Sequence, residues 1–242
     1  MDAYDPIEAE RNRSSVTFLT LLIISQVLGV FCVILTGIWL GAYWGGFSWT
    51  DVRIFNYHPL FMVLGLVFLY GDAILVYRVF RTYRKLPIKV LHAVLHILAF
   101  LFAILGVKAV FEMHKMANFP DLYSLHSWIG IVVVVLFAIQ WLAGLVAFLV
   151  PQMPQRNRAC YLPVHVSFGS LLYLLIIGTC VSGITQKNIF SKAYSSFLPR
   201  EMIGNALGVC IVLYGAIVFY LISHPAYKRV EIVSPERRAL NE

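Results

Sequence analysis

Residues 125–150 read LHSWIGIVVVVLFAIQWLAGLVAFLV, and this stretch decides the class of fold. None of its 26 residues is Asp, Glu, Lys or Arg, and about 20 apolar residues of helix are enough to cross the hydrocarbon core of a bilayer. An open sheet cannot span lipid, because its edges leave hydrogen-bonding groups unpaired, and the stretch lacks the alternation typical of a membrane barrel. It therefore predicts a transmembrane α-helix.

Five further apolar runs of similar length occur along the chain. The six predicted spans are residues 16–43, 60–77, 91–111, 125–150, 162–184 and 203–222. Hydrophobic residues make up 60% of the chain and charged residues 13%, whereas a soluble domain is about a quarter charged, so a lipid bilayer is the expected solvent. The loops are too short for a second domain. We expect one all-α integral membrane domain of six transmembrane helices over residues 16–224, between tails at residues 1–15 and 225–242.

The orientation follows from the distribution of the basic residues. The two tails and every second loop hold 13 of the 19 Lys and Arg residues, and the opposite side holds the other six, Arg53, Lys108, Lys115, Lys187, Lys192 and Arg200. Positive residues favour the cytosol, so we expect both termini to be cytosolic. The net charge of +7 is then a signal of topology, and nucleic acid is not an expected partner. The glycosylation sequon at Asn12 faces the cytosol and should carry no glycan.

The cysteines and the first residues set two further limits. The cysteines are scattered and should form no disulfide framework; they are Cys32, Cys160, Cys180 and Cys210. No C-x-x-C-H motif occurs, so any haem would be bound without covalent links. The first residues are polar and lack a short apolar core with a cleavage site. We therefore expect the first span to be retained rather than removed as a signal peptide.

Four of the seven histidines lie at matched depths in the predicted helices. His58 and His126 are near the starts of spans that begin on the non-cytosolic side, whereas His92 and His165 are near the starts of spans that begin on the cytosolic side. Polar groups at membrane depth are costly and usually functional. Two imidazoles fill both axial positions of a haem iron, which then passes electrons and does not readily bind oxygen. The pattern indicates two bis-histidine haems, about 20 Å apart along the membrane normal.

The spacing of the histidines leaves alternatives open. His96 follows His92 by one helical turn on the same face, so either residue could be the ligand. A histidine in a helical bundle is also more often hydrogen-bonded to a neighbour than bound to a metal. A proton-coupled transporter that uses Asp72 and the histidines as a relay would need no haem, although no internal repeat with interrupted helices supports it. A structural membrane scaffold is a third possibility, and it leaves the matched histidines unexplained.

Four short motifs carry a resemblance to a known family. They are FNYHP at residues 55–59, AILVYRVFR at 73–81, YSLHSW at 123–128 and PVHVSFG at 163–169. These motifs are similar to signatures of the cytochrome b561 family, which consists of ascorbate-dependent transmembrane reductases with six helices and two b haems. The resemblance covers residues 28–229 and is closest to the chromaffin-granule type. It implies that the second to fifth spans form a four-helix core around two non-covalently bound b haems.

The resemblance also implies the residues that bind the cofactors and the electron donor. One haem is expected between His58 and His126 and the other between His92 and His165, which selects His92 over His96. Ascorbate is expected at the cytosolic side, because it is a monoanion that cations at the interface concentrate and orient. The cations that match the family pattern are Arg78, Lys85, Lys89 and Arg158. We interpret the neighbouring residues Arg81 and Arg84 as membrane anchors only.

On the non-cytosolic side the resemblance places His114 near the electron acceptor. A catalytic imidazole there can relay a proton as the electron arrives. Asp121 and Tyr123 are weaker candidates for the same site, because they could instead cap the fourth helix. His224, at the cytosolic end of the last span, is interpreted as a surface residue.

The electron acceptor and the membrane are expected from the same resemblance. The chromaffin type implies reduction of monodehydroascorbate inside a secretory vesicle. The alternative is reduction of a ferric chelate at an endolysosomal membrane or the plasma membrane. Members of the family commonly form homodimers, so a homodimer is expected.

Two residues depart from the family pattern. Asp72 stands where relatives would have a neutral or small residue, and we expect it to face the interior of the bundle, either protonated or paired. Our hypothesis is that a charged Asp72 lowers the reduction potential of the cytosolic-side haem. Lys108 occurs in a stretch that is usually apolar, and we expect its long side chain to reach towards the membrane surface.

Overall fold

The computed structural model describes residues 6–149 and 153–229, which are mostly helical, with no strand among them. Six long helices are present, α1 (Pro6–Tyr43), α2 (Val52–Val79), α3 (Lys85–Ala117), α4 (Leu125–Leu149), α5 (Gln155–Phe190) and α6 (Pro199–Ser223). Each contains a segment that is long and apolar enough to cross a membrane. The predicted all-α membrane fold with six spans is confirmed.

The helices extend past the ends of the apolar runs. Helix α2 begins at Val52 and not at residue 60, and α3 continues to Ala117 instead of ending at residue 111. Helix α1 begins at Pro6, within the predicted tail. A helix satisfies its own backbone groups, so it can continue through polar residues that hydropathy assigns to loops. His58 and His114 consequently lie inside helices, where their side chains have fixed directions.

Two of the membrane helices contain π-helical segments. In α2 such a segment, Val63–Leu69, lies between α-helical segments, and α4 ends in another, Leu145–Leu149. A π-helical turn changes the pattern of backbone hydrogen bonds and is often found at functional sites. The Nζ of Lys89 on α3 donates to the carbonyl of Phe148 in the second segment, at 3.0 Å. This bond connects α3 to the end of α4.

The bundle is arranged around α2. That helix packs against α1, α3, α5 and α6, while α3 to α5 are neighbours in sequence order and α1 packs against α6. The interior is filled by large side chains that are almost fully buried, among them Tyr70, Phe137 and Tyr173. Residues of α4 such as Val132, Val135 and Ile139 are about half exposed on its outer face. An apolar exterior of this kind is what contact with lipid requires.

Candidate functional site

His58 on α2 and His126 on α4 form the first of two histidine pairs, which we call the outer site. Their ring centroids are 6.0 Å apart and their planes are almost perpendicular, at 89°. The Nδ1 of His58 lies 3.1 Å from the carbonyl oxygen of Gly106, and the Nδ1 of His126 lies 3.0 Å from that of Thr179. A carbonyl can only accept, so each contact requires the ring proton on Nδ1. The lone pair of each Nε2 is therefore free to bind a metal.

His92 on α3 and His165 on α5 form the second pair, which we call the inner site. Their ring centroids are 6.3 Å apart, with an interplanar angle of 66°. The Nδ1 of His92 donates to the carbonyl of Ala73 at 2.7 Å. The Nδ1 of His165 is buried without a hydrogen-bond partner among the described residues, and its ring packs at 5.2 Å from that of Phe148 and 5.9 Å from that of Tyr161.

The spacing of both pairs fits one metal between two imidazoles. A bond from a metal to an imidazole nitrogen is about 2 Å long, and the ring centre lies about 1 Å further on, so the two centroids should be about 6 Å apart. The observed values are 6.0 and 6.3 Å. In the described part of the chain, no group of three or more His, Cys, Asp or Glu residues could hold a metal. Two protein ligands per site suit haem, because the porphyrin supplies the other four positions.

Each site has a glycine directly against one imidazole. A Cβ atom at Gly183 on α5 would lie 2.6 Å from the Cε1 of His126, and one at Gly144 on α4 would lie 2.8 Å from the Cε1 of His165. A larger residue would push the imidazole out of place. Sequence reasoning did not identify these glycines. The available signal was a glycine in the interior of a long apolar helix, where it costs about 1 kcal/mol relative to alanine.

The two sites lie at opposite ends of the bundle. Ala73, which accepts the hydrogen bond from His92, follows His58 by 15 residues on α2. At 1.5 Å per residue the sites are separated by about 22 Å along this helix. This value agrees with the separation expected from the depths of the histidines in the sequence. Below, the inner end of the bundle is the one that carries Lys85, and the outer end is the one that carries His114.

His96 packs beside His92, and the ring contact with His165 is made by His92. The side chain of His96 is 6% exposed, and its ring packs edge-on at 4.5 Å from the rings of both His92 and Tyr70. Its Nδ1 has no hydrogen-bond partner among the described residues. Of the two residues that spacing left open, His92 is therefore the one that lies opposite His165.

The three candidate residues for the acceptor site come together at the outer end. The Nδ1 of His114 lies 3.1 Å from the Oδ1 of Asp121, and the ring of Tyr123 is 5.9 Å from that of His114. His114 and Tyr123 line a cavity of about 400 Å³ that also reaches both histidines of the outer site. The cap of α4 is Ser124, whose side chain accepts from the backbone of Ser127. The alternative role of Asp121 and Tyr123 as helix caps is therefore not observed.

Three of the four candidate cations for ascorbate are grouped at the inner end. Lys89 lies close enough to Lys85 and Arg158 for their charges to interact. Arg78 is placed differently, because its guanidinium donates to the carbonyl of Ile222 at the end of α6. It fastens α2 to α6 in this structure. Arg81 makes a similar contact with the carbonyl of Ala226, at 3.2 Å.

The other polar residues discussed from the sequence are Asp72, Lys108 and His224. The Oδ1 of Asp72 accepts a hydrogen bond from the Nε2 of Gln26 on α1, at 2.8 Å, so this carboxyl group is half-buried and paired between two helices. Lys108 is exposed on the outer half of α3. The Nδ1 of His224 accepts from the backbone of Ala226, and its ring packs against that of Tyr227.

The fold and the sites define a class, a helical membrane protein with two pairs of facing histidines in its bundle. Comparison with known sequences identifies the family. The chain belongs to the eukaryotic cytochrome b561 family, whose sequence profile matches residues 57–191.

Named relatives are similar over most of the chain. It is 48% identical over 207 residues to the transmembrane ascorbate-dependent reductase CYB561 of Sus scrofa, covering 85% of this chain and 82% of the relative. The CYB561 of Homo sapiens is 45% identical over 207 residues, covering 85% of this chain and 82% of the relative. The lysosomal membrane ascorbate-dependent ferrireductase CYB561A3 of Danio rerio is 40% identical over 230 residues, covering 90% of this chain and 93% of the relative.

These relatives decide several of the predictions. The resemblance to the cytochrome b561 family is confirmed, as are an oxidoreductase as the class of enzyme, haem as the class of cofactor and a multi-pass membrane protein. The number and type of haems, their ligands, the acceptor and the orientation in the membrane remain predictions.

Proposed function

We propose that this chain is an ascorbate-dependent transmembrane reductase, which takes electrons at its inner end and delivers them to an acceptor at its outer end. The observation that carries the proposal is the pair of bis-histidine sites, with centroid spacings of 6.0 and 6.3 Å, at the two ends of one bundle. The names of the relatives support ascorbate as the donor, since each is an ascorbate-dependent reductase or ferrireductase.

Two haem b groups are the proposed cofactors, one held by His58 and His126 and the other by His92 and His165. When bound, they would supply the one-electron carriers that connect the two ends. The protein orients three of the four imidazoles through hydrogen bonds from Nδ1 to backbone carbonyls. Such second-shell bonds fix the ring and strengthen its nitrogen as a ligand. The buried aromatic side chains between the sites exclude water.

The proposed donor site consists of Lys85, Lys89 and Arg158 at the inner end. Three cations that are close in space attract a monoanion and can donate hydrogen bonds to its enediol oxygens. The bond from Lys89 to the carbonyl of Phe148 holds this side chain close to the inner site, because the ring of Phe148 touches that of His165. Arg78 remains a candidate by resemblance, and its bond to Ile222 would have to open for it to contact ascorbate.

The proposed acceptor site lies around His114. Its Nδ1 is paired with Asp121, which orients the ring and leaves Nε2 to hold or release a proton as the acceptor is reduced. We favour monodehydroascorbate, the acceptor that the resemblance to the chromaffin-granule type implies, and the relatives named ascorbate-dependent reductases are more similar to this chain than the ferrireductases are. Reduction of a ferric chelate is the second candidate, and it is favoured by the ferrireductase of Danio rerio, which matches 93% of its own length.

The inner end is proposed to face the cytosol, with both termini, because that end holds most of the basic residues. The outer end would then face the interior of a secretory vesicle or an endolysosome. A homodimer is expected from the family resemblance.

The visible spectrum of the purified protein tests the proposal. We expect a Soret band that shifts when ascorbate is added and a haem content of two per chain. A protein without a Soret band, or with one that ascorbate leaves unchanged, would refute the reductase and leave the proton-coupled transporter. Vesicles loaded with ascorbate then identify the acceptor, by comparing external monodehydroascorbate with a ferric chelate. The variant His126→Ala is the control, since it removes the proposed ligand of the outer haem and leaves His92 and His165 in place.

A further inference from the structure

Lys187 is a cation within the outer cavity that no predicted role explains. It lies on α5 and lines the same cavity as His58 and His126. Its Nζ is 3.9 Å from the ring centroid of Trp44 and 4.2 Å from that of Phe55. Among the described residues, no carboxylate forms an ion pair with it. The ammonium is therefore held against two aromatic faces without a counter-ion from this part of the protein.

The surroundings of Lys187 favour an anionic partner. The cavity is lined mostly by apolar side chains, and a cation removed from water is costly unless it is paired. Contacts with aromatic faces recover only part of this cost. Arg200 offers a comparison within the same structure, because its guanidinium also packs on Trp44, at 4.5 Å, but it is paired with Glu201 at 2.8 Å. Of these two cations on one indole ring, Lys187 is the one with no paired carboxylate in the described part of the chain.

Trp44 adds a second donor that lacks an acceptor. Its indole Nε1 is buried and has no hydrogen-bond partner in the described part of the chain. The backbone at Trp44 is held in place, because the Nδ2 of Asn56 donates to its carbonyl at 2.9 Å. An ammonium and an indole N–H, both on residues that line one cavity, suit an oxygen-bearing anion.

The position along α5 indicates which anion this is. Lys187 follows Gly183 by four residues, so it lies about 6 Å further out along the same face of the helix. Gly183 touches the imidazole of His126, which would bind the iron. A side chain one helical turn beyond this imidazole would be within reach of the rim of a bound porphyrin. The only anionic groups of haem b are the two propionates on that rim.

We propose that Lys187 binds a propionate of the outer haem and raises the reduction potential of that haem. The inference rests on the proposed function, because it requires haem at the outer site. A cation beside the cofactor neutralises the propionate and favours the reduced, more negative state of the haem. The residue positions the cofactor and takes no part in proton transfer.

Redox titration of the purified holoprotein tests this proposal with the variants Lys187→Met, Lys187→Arg and Lys108→Met. In Lys187→Met we expect the ratio of reduced to oxidised outer haem at a fixed potential to fall about tenfold, which is about 59 mV for a one-electron couple. The inner haem should be unchanged. Lys187→Arg should restore the parent value, because a guanidinium also binds carboxylates. Lys108→Met removes an exposed charge from the same half of the bundle and should change neither haem.

Resonance Raman spectra of the same samples separate the propionate from the substrate as the anion. A shift of the propionate bending band in Lys187→Met, absent in Lys187→Arg, would support the contact. Loss of the outer haem from Lys187→Met but not from Lys187→Arg would support it as well. An unchanged band and potential would overturn it, and a raised KM for the outer acceptor would then assign Lys187 to the substrate. A parent protein without haem would instead refute the proposed function.

Discussion

At the outer site both imidazoles donate from Nδ1 to backbone carbonyls, whereas at the inner site only His92 does so. His165 is instead positioned by the rings of Phe148 and Tyr161 and by contact with Gly144. The two sites also differ in where their positively charged side chains lie. The candidate cations Lys85 and Lys89 of the inner end are exposed or half-exposed, while Lys187 at the outer end lines the cavity.

This difference bears on whether each end would exchange a bound anion or retain it. Exposed or half-exposed cations such as Lys85 and Lys89 can bind and release a soluble donor, because water compensates them when the donor leaves. Lys187 is half-buried in a mostly apolar cavity against two aromatic rings, so its charge is less well compensated by water and it suits a permanent partner. On this proposal the cations of the inner end suit exchange of a substrate, and the part of the outer cavity around Lys187 suits retention of a cofactor.

The largest expected effect comes from removing one ligand at each site. His92→Ala and His126→Ala should each lose about half of the haem absorbance, because one axial bond of a single site is removed. His224→Ala, at a histidine outside both sites, should keep all of it. Haem content per chain, measured on the purified proteins, checks this. Loss of both haems from either variant would mean that the two sites are not independent.

The glycines beside the imidazoles give the next effect. Gly144→Ala should weaken the inner haem and Gly183→Ala the outer one, because the new methyl group displaces an imidazole that must sit about 2 Å from the iron. Gly178→Ala is the matched control on α5, since a Cβ there meets no atom within 4 Å. The two redox components of each variant are compared with those of the parent. If all three variants had the same two redox components as the parent, the proposed close contact between glycine and imidazole would be wrong.

A smaller effect is expected at the donor site. Lys89→Gln should raise the KM for ascorbate about tenfold, because a hydrogen bond to a charged group contributes about 1.5–3 kcal/mol. Arg84→Gln should leave it unchanged, in agreement with a role as a membrane anchor. Steady-state reduction by ascorbate at several concentrations measures both. An equal rise in the two variants would show that total charge at this end matters and that no specific site exists.

The smallest effect is expected at Asp72. Asp72→Asn should raise the reduction potential of the inner haem, since it removes a negative charge near that end. At a fixed potential, the ratio of reduced to oxidised inner haem should rise a few-fold. The adjacent residue Ala73 accepts the hydrogen bond from His92, while the amide of Gln26 already contacts the carboxyl group. Redox titration decides the outcome. Unchanged potentials would show that Asp72 is neutral in the parent protein.

Much of the fold and part of the site could be predicted from residues alone. The six helices followed from hydropathy, and the division of His58, His126, His92 and His165 into two pairs followed from the direction of each span. The bounds were too short at several ends, because polar turns continue a helix without adding hydropathy. That error placed His114 in a loop, although it lies on α3 and faces the outer cavity.

The sequence by itself determined the class of protein. In lipid there is no water to bond to the backbone, so long apolar runs of this kind form helices, in which the backbone N–H and C=O groups bond to each other. Only the tertiary structure decided how close the paired imidazoles are, that the ring of His92 is the one in contact with His165, and that Lys187 lines the outer cavity with no carboxylate paired to it among the described residues. The physical reason is rotation about the helix axis. A helix that is apolar on all sides has no amphipathic pattern to fix its rotation. Packing against α2 and the contacts of Gly144 and Gly183 fix the direction of each side chain.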